Sequence, residues 1–376
     1  MANDLPSTAG AAAEPADNLA LCLSGGGYRA MVFHVGALWY LNDAGYLPKL
    51  DRVSSVSGGS IAAAVLATRW SQLRFDAAGK AAAFDDLVVA PVRHLASTTI
   101  DSPAIAEHMI HGQPVNPLVI KSYADLLFGE ATLQDLPDRP RFVINATSVQ
   151  TGALFRYSKP YLADYRVGRV MAPRRAVAEA VAASSACPPW LSPASLDFSK
   201  EVWTDLVLDD CGKPPFTTEV VLTDGGIYDN FGLEPAWKTC KRVLVSDGGG
   251  HMQPEEKPFP GWPFHMPRIL DITDNQVRAL RKREVVAAFR DPSSGHTGAY
   301  WGTFTNPADY PVASALPIDA ARATELALTW TRLAAMPDAK QQRLINFGYA
   351  MAERAIRSYY DPAAFAPTTF PLPGGV

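Results

Sequence analysis

The chain has 376 residues, of which 48% are hydrophobic and 19% are charged, as in a globular protein that buries a sizeable core. Its formal net charge is −4, so it lacks the basic surface that a nucleic-acid backbone requires, and no nucleic-acid partner is expected. No apolar stretch reaches the roughly 18 residues of a membrane span, so any membrane contact is expected to be peripheral.

The N-terminal residues 1–17 are rich in Ala, Pro, Asp and Glu. They lack the basic segment and apolar segment of a signal peptide, so we expect a flexible tail. The chain has four cysteines, which are Cys22, Cys187, Cys211 and Cys240. Their spacing fits no zinc site, and we expect reduced thiols in a cytoplasmic protein.

Two strand–loop–helix units open the chain. Apolar residues 18–23 predict a buried strand that runs into a glycine loop, and residues 28–43 predict a buried helix that ends near Gly45. Residues 52–56 predict a second strand, which breaks at a glycine pair before the Ala-rich helix 60–69. This order indicates an α/β fold in which helices cover a mostly parallel sheet.

The middle of the chain has a different pattern. Residues 71–140 are predicted to be mostly helical with irregular joints, and residues 141–147 and 153–157 predict a β-hairpin. Two further short strands, 220–223 and 242–246, are each followed directly by Asp-Gly-Gly. The carboxyl ends of strands are where open α/β sheets bind ligands, so both turns are candidate site positions.

The last third begins with a stretch rich in proline and aromatic residues, 250–267, which predicts irregular structure and a mobile flap. Helical patterns resume at Asp274 and again over residues 320–359. No repeat or linker divides the chain, so we predict one domain over residues 18–360 and a Pro-rich C-terminal tail over residues 361–376.

Ser57 is the candidate nucleophile. It lies between a predicted strand and a predicted helix, and Ser55 before it and Gly58 and Gly59 after it are small enough for the sharp turn of a nucleophile elbow. The first small residue is Ser55, where the usual elbow has Gly. A serine that only caps the helix is an equally good interpretation of this segment alone.

The glycine loop offers donors for an oxyanion. Gly25, Gly26 and Gly27 present successive backbone amides before a helix, and Arg29 is a candidate to anchor the loop or to bind a phosphate. The spacing from Gly25 to Ala30 also fits a loose dinucleotide-binding motif. The second strand ends in the serine turn rather than in the acidic residue that a dinucleotide site needs, which weakens this alternative.

The general base is a choice between two aspartates, because none of the seven histidines has the context of a catalytic histidine. His34 lies within a buried helix, three histidines lie in the 71–140 stretch, and His251, His265 and His296 are predicted to lie in loops. Asp224 and Asp247 both follow a short strand and precede two glycines. A carboxylate needs a desolvated site to act as base, and the local pattern does not separate the two.

Three ordered motifs resemble the patatin-like phospholipases, whose members use a Ser-Asp dyad. They are Ser24-Gly25-Gly26-Gly27-Tyr28-Arg29-Ala30, Ser54-Ser55-Val56-Ser57-Gly58-Gly59-Ser60 and Asp224-Gly225-Gly226-Ile227-Tyr228-Asp229-Asn230. Weaker similarity lies at residues 145–152, 183–188 and 274–283, so the resemblance covers about residues 19–359.

The resemblance implies a three-layer α/β/α fold and a lipid acyl hydrolase of phospholipase A or lysophospholipase type. It favours Asp224 as the base, because the family's Asp-Gly-Gly precedes an Asp-Asn pair that occurs here as Asp229-Asn230. Ser57 would form an acyl-enzyme, and the glycine loop would hold the oxyanion, with Gly225 and Gly226 as supporting residues. Neither metal nor other cofactor is implied, and the substrate would be a phospholipid or another acyl ester.

Two departures from plant-type members, Ser24 in place of Asp and Ser55 in place of Gly, suggest a bacterial-type branch. A dinucleotide-dependent oxidoreductase and a non-catalytic lipid-binding module on the same fold remain as alternatives. The oligomeric state and the headgroup specificity do not follow from the sequence.

Overall fold

The computed structural model describes residues 15–207, 211–258 and 261–376. The β-strands are β1 (Ala16–Leu23), β2 (Arg52–Val56), β3 (Arg141–Ser148), β4 (Leu154–Tyr157), β5 (Tyr161–Asp164), β6 (Gly168–Met171), β7 (Ala194–Asp197), β8 (Trp203–Thr204), β9 (Glu219–Asp224), β10 (Cys240–Asp247) and β11 (Thr297–Gly302). The α-helices are α1 (Gly27–Asp43), α2 (Gly58–Thr68), α3 (Ala90–Ala96), α4 (Asp101–His111), α5 (Val115–Tyr123), α6 (Val177–Ser184), α7 (Gly226–Asp229), α8 (Leu233–Trp237), α9 (Trp262–Arg290), α10 (Ala320–Ala327) and α11 (Asp338–Tyr359).

The strands form one mixed sheet. Its central part is parallel, in the order β11-β10-β1-β2-β3, which confirms the predicted α/β fold class. Antiparallel strands β4, β5, β6 and β8 extend the sheet beyond β3. The antiparallel pair of β3 and β4 is the predicted hairpin. Strand β9 pairs antiparallel with β3 and carries β7 on its other side.

Alternate residues of β1 point to opposite faces of the sheet and meet different helices. Leu21 belongs to the larger core, which also contains Phe33 of α1 and Phe347 of α11. Cys22 belongs to a smaller core on the other face, with Leu233 of α8. Helices therefore cover both faces, and burying each large apolar side chain stabilises the fold by roughly 1.5–3 kcal/mol.

The proline-rich stretch differs from its prediction. We predicted irregular structure up to residue 267 and a helix from Asp274, but α9 begins at Trp262 and includes Pro267 and His265. Proline is tolerated in a first helical turn, and Pro267 removes only one backbone hydrogen bond from a long helix. The prediction was therefore wrong for residues 262–267 and for the predicted loop position of His265.

The helical pattern predicted over residues 320–359 is two helices, α10 and α11, separated by an irregular segment at residues 328–337. The residues predicted as a C-terminal tail pack against the domain, since Asn346 donates a hydrogen bond to the Leu372 carbonyl at 2.9 Å and Val376 is buried. Of the predicted N-terminal tail over residues 1–17, residues 1–14 lie outside the described part of the chain, and the prediction was wrong for residues 16–17, which begin β1.

The short helices between residues 71 and 140 are joined by 3₁₀ and π turns, as the irregular joints predicted. Across the described ranges, no helix is both long enough and apolar enough to cross a membrane. The assignment of residues 18–360 to a single domain stays a proposal, which the continuous sheet supports.

Candidate active site

Ser57 occupies a sharp turn between β2 and α2, with φ 51° and ψ −120°. A non-glycine residue in this region stores about 1–3 kcal/mol of strain, which the surrounding structure must offset. A Cβ atom at Gly58 would lie 2.1 Å from the Gly27 carbonyl oxygen, and one at Gly59 would lie 2.4 Å from that of Leu23. Only glycines allow this turn to pack against the glycine loop.

A buried hydroxyl network holds the Ser57 backbone. The Ser57 amide donates to Ser184 Oγ at 2.9 Å, and Ser184 Oγ donates to the Asn145 carbonyl at 2.6 Å. Ser60 Oγ lies 2.9 Å from Ser184 Oγ and 3.0 Å from Ser55 Oγ. Ser55, which stands where the usual elbow has Gly, thus takes part in this network. Sequence reasoning did not single out Ser184, although it lies within the motif at residues 183–188.

The sheet brings Ser57 and Asp224 together. Strand β2 runs parallel to β3 until Val56 pairs with Asn145, and β9 runs antiparallel to β3 until Asp224 pairs with Ala146. The ends of β2 and β9 therefore meet beside two successive residues of β3, and both side chains line one cavity.

Gly225 and Gly226, predicted as supporting residues, let β9 approach this point. A Cβ atom at Gly225 would lie 2.3 Å from the Asn145 carbonyl oxygen, and the Gly226 amide donates to Asp224 Oδ1 at 2.8 Å. The Asp-Gly-Gly turn is therefore shaped by close backbone packing and by a bond to its own carboxylate.

Burial raises the pKa of Asp224 to about 7, although the hydrogen bond from the Gly226 amide and the nearby Ser57 hydroxyl oppose the shift. The negative charge of Asp274 raises this pKa further. A carboxylate whose pKa lies near neutrality is a much stronger base than an exposed aspartate, and it still ionises at neutral pH.

The amides of the glycine loop are not equivalent. The Gly25 amide donates to the backbone carbonyl of Asn230 at 3.0 Å and to its side-chain oxygen at 3.1 Å, so the predicted oxyanion role of Gly25 is not supported. The amides of Gly26 and Gly27 have no internal acceptor in the described part of the chain. The same is true of the Gly58 amide, whose residue packs on Gly27.

Arg29 is buried and anchors the glycine loop. Its side chain donates to the Gly248 carbonyl at 3.1 Å, to Thr331 Oγ1 at 3.0 Å and to the Thr329 carbonyl. Burial lowers its pKa to about 10, the charge of Arg278 adds to this effect, and Asp247 opposes it. Of the two roles predicted for Arg29, the structure therefore favours that of anchor.

Asp247 lies in a different environment from Asp224. It accepts hydrogen bonds from Tyr300 at 2.7 Å and from the Gly249 amide at 2.9 Å, and it forms an ion pair with Arg278 at 3.1 Å. Burial alone would raise its pKa, but the Arg278 charge and these hydrogen bonds hold it below the usual value.

His34 is a structural histidine. Its Nδ1 lies 2.8 Å from Ser246 Oγ and its Nε2 lies 2.9 Å from the Ser24 carbonyl oxygen. Burial lowers its pKa to about 4, against the effect of the Ser24 carbonyl, so the ring is neutral at physiological pH. Among the described cavity-lining residues, His251 is the only histidine, and its ring packs near Phe304.

Cys187 also lines the cavity; its side chain is partly open to solvent, but the surrounding protein atoms and the nearby Asp224 charge raise the pKa of its thiol to about 12. A thiol that stays protonated at neutral pH is a poor nucleophile. Ser57, whose hydroxyl lies near a carboxylate of raised pKa, is the better candidate.

The cavity has a volume of about 560 Å³. Ser57, Asp224 and Gly26 form its floor, α9 forms one wall, and residues 327–331 form another. Sequence reasoning placed neither wall at the site: it predicted a flap over residues 250–267 and a helix from Asp274 for the first, and a continuous helix over residues 320–359 for the second. No group of three or more His, Cys, Asp or Glu side chains in the described ranges is arranged to hold a metal ion.

Comparison with solved structures shows the same fold. Human GIVD cytosolic phospholipase A2 is 13% identical, with a TM-score of 0.52 over 90% of this chain and 61% of the human chain. VipD from Legionella pneumophila is 16% identical over 92% of this chain and 67% of its own, with a TM-score of 0.38. At these identities the first likeness is one of fold alone, and the second supports no conclusion. The chain spans less than two thirds of the human protein.

No curated protein sequence matches the chain. A family model described as patatin-like phospholipase matches residues 21–237, which is more than half of the chain and includes both Ser57 and Asp224. The chain therefore belongs to the patatin-like phospholipase family.

Proposed function

We propose that this protein is a serine-dependent lipid acyl hydrolase in which Ser57 is the nucleophile and Asp224 is the general base. The observation that carries the proposal is that the strained Ser57 and a buried carboxylate whose pKa lies near 7 line the same cavity, with the Ser57 hydroxyl close enough to affect that pKa. An activated hydroxyl and a base within reach of it are the basic requirements of covalent acyl transfer.

In this mechanism Ser57 Oγ forms a bond with the acyl carbon while its proton passes to Asp224. The tetrahedral intermediate then breaks the ester C–O bond, and the leaving alkoxide takes the proton from Asp224. Water attacks the acyl-enzyme and gives a proton to Asp224. That proton returns to Ser57 as the fatty acid leaves, so the enzyme ends in its starting state.

The oxyanion would be held by backbone amides at the junction of the two loops. Those of Gly26, Gly27 and Gly58 are free of internal acceptors in the described ranges and lie beside Ser57. One well-placed donor of this kind stabilises the transition state by about 2.7–4 kcal/mol. The role first predicted for Gly25 passes to Gly58, the residue after the nucleophile.

The mouth of the cavity favours a lipid substrate. Four of its lining residues are exposed apolar side chains, namely Ile227, Leu270, Leu328 and Trp330. Trp330 is 83% exposed, which is unusual for tryptophan in a protein that buries most of its aromatic side chains. A cluster of exposed apolar groups around a polar reaction centre suits the acyl chain of an ester and a peripheral contact with a lipid surface.

The geometry of the site argues against the two alternative functions, a dinucleotide-dependent oxidoreductase and a non-catalytic lipid-binding module. Strand β2 is followed by Ser57 at the position where a dinucleotide site needs an acidic residue to bind the ribose. A non-catalytic module has no need for a strained serine beside a carboxylate of raised pKa.

The test is fatty-acid release from phospholipids, lysophospholipids and p-nitrophenyl esters, together with labelling by a fluorophosphonate probe. We expect Ser57→Ala to abolish both turnover and labelling. Ser122→Ala is the matched control, because this hydroxyl donates only to the Leu118 carbonyl of its own helix. Undiminished turnover or labelling in the Ser57→Ala protein would refute the proposal.

A further inference from the structure

The charged side chains that line the cavity are three arginines and three aspartates. All three arginines are engaged by the protein. Arg29 binds backbone carbonyls and Thr331, Arg278 pairs with Asp247, and Arg268 donates to the Gln253 carbonyl at 2.9 Å and lies 3.6 Å from Glu255. Arg278 and Arg268 thus have carboxylate partners, and Arg29 keeps its charge but has its side chain held by neutral groups of the protein.

Two of the aspartates differ from the arginines. Asp271 and Asp274 lie on α9, and within the described ranges no residue gives either carboxylate a hydrogen bond or an ion pair. The nearest cationic influence on Asp274 is that of Arg278, which is already paired with Asp247. Among the described lining residues, the carboxylates without an ion-pair partner, Asp224, Asp271 and Asp274, outnumber the one arginine without such a partner, Arg29.

The helix places these carboxylates on the cavity side. Pro267, Asp271, Asp274 and Arg278 line the cavity and follow one another at intervals of four, three and four residues, which is one face of a helix. Like charges three residues apart on one face destabilise a helix. The ionised Asp224 adds a third negative charge close to Asp274. Such an arrangement becomes favourable when a cation enters the cavity.

Burial raises the pKa of Asp274 to about 6, with Arg278 opposing and Asp247 and Asp271 adding to the shift. Asp274 is therefore mostly ionised at neutral pH. In the described ranges, no group of three or more His, Cys, Asp or Glu side chains is arranged to hold a metal ion. The cavity already hosts the proposed ester cleavage, so the cation would be part of the ester substrate.

We infer that Asp274, with Asp271 nearer the mouth, selects acyl esters whose headgroup carries an ammonium group over those with an anionic headgroup. The inference rests on the proposed function for the position of the ester. It extends that function from acyl esters in general to a class of zwitterionic lipids. Asp274 is a specificity-determining residue in this scheme, and Ser57 and Asp224 carry the chemistry.

The test measures binding separately from turnover. In a Ser57→Ala background, the change in tryptophan fluorescence that is lost in a Trp330→Phe variant reports the Kd for lysophosphatidylcholine and for lysophosphatidylglycerol of the same acyl chain, each in neutral detergent micelles. The two lipids share the phosphate and differ in the ammonium group. We expect about tenfold tighter binding of the choline lipid, as for a charge pair in a half-buried site.

Asp274→Asn, which keeps the shape of the side chain, should reduce the preference to near one, and Asp271→Lys should reverse it. Glu284→Gln is the matched control, because Glu284 is exposed on the same helix and lies outside the cavity lining. Equal Kd values for the two lipids, or a preference that survives Asp274→Asn, would overturn the inference.

Hydrolysis of a neutral p-nitrophenyl ester by the protein with Ser57 intact tests the proposed function on its own. Selective binding without hydrolysis would support the headgroup inference and contradict the hydrolase. Hydrolysis without selective binding would support the hydrolase and contradict the headgroup inference.

Discussion

The two Asp-Gly-Gly turns of this protein share a local structure and differ in what faces them. Asp224 and Asp247 each end a strand, each is buried, and each accepts a hydrogen bond from the amide two residues later, at 2.8 and 2.9 Å. Asp247 then meets Arg278, whereas Asp224 meets the Ser57 hydroxyl and no arginine. One pKa is lowered and the other rises to about 7.

The comparison shows that burial alone does not make a base. Burial is the largest influence on both carboxylates, and it raises the pKa of each. A neighbouring guanidinium reverses the outcome at Asp247, because an opposite charge in a buried site stabilises the ionised form. The neutral hydroxyl of Ser57 and the Gly226 amide offset only part of the effect of burial on the pKa of Asp224. The roles of the two turns should therefore separate in experiments.

The largest expected effect is on turnover. Asp224→Asn removes the proton acceptor while keeping the shape of the side chain, and we expect kcat to fall by about a thousandfold. Asp247→Asn should lower the kcat of the folded protein by less than about tenfold, because its carboxylate does not contact Ser57. Fatty-acid release measures both, and circular dichroism checks folding. A larger loss of kcat in Asp247→Asn than in Asp224→Asn would mean that Asp247, and not Asp224, is the general base.

A second effect concerns stability and should follow the opposite order. Asp247→Asn leaves Arg278 as a buried charge without its partner, and we expect the free energy of unfolding to fall by about 3 kcal/mol. Chemical denaturation at neutral pH measures this loss. Asp224→Asn should cause no such loss, since no ion pair is broken there. A change below about 1 kcal/mol in Asp247→Asn would mean that the ion pair is not structural.

The smallest expected effect is on the pH dependence of activity, which distinguishes the raised pKa of Asp224 from the lowered pKa of Asp247. Asp224 acts as base only when ionised, and its pKa is raised to about 7, so kcat/KM should increase about tenfold per pH unit below this value and level off above it. The lowered pKa of Asp247 adds no break in this range. A pH–rate profile on a p-nitrophenyl ester measures the break. Full activity down to about pH 5 would contradict a base with a raised pKa.

Short-range patterns predicted the elements that carry the chemistry. The first two strand–loop–helix units, the hairpin of β3 and β4, and the strands before both Asp-Gly-Gly turns occur where the sequence predicted them. These elements depend on apolar runs and on glycines, whose effects are local. The α9 start was mispredicted, because proline at a helix start and proline in a loop give the same local pattern.

The sequence by itself determined the family, the fold class and the candidate residues Ser57 and Asp224, because ordered motifs and hydrophobic periodicity are properties of neighbouring residues. Only the tertiary structure decided which aspartate faces the serine and which faces an arginine. In the tertiary structure the Gly25 amide also donates a hydrogen bond to Asn230. Residues 250–253 and Pro267 of the predicted flap line the cavity. These outcomes depend on contacts between residues far apart in the chain, such as Asp247 with Tyr300, and desolvation and charge pairing arise only when those contacts form.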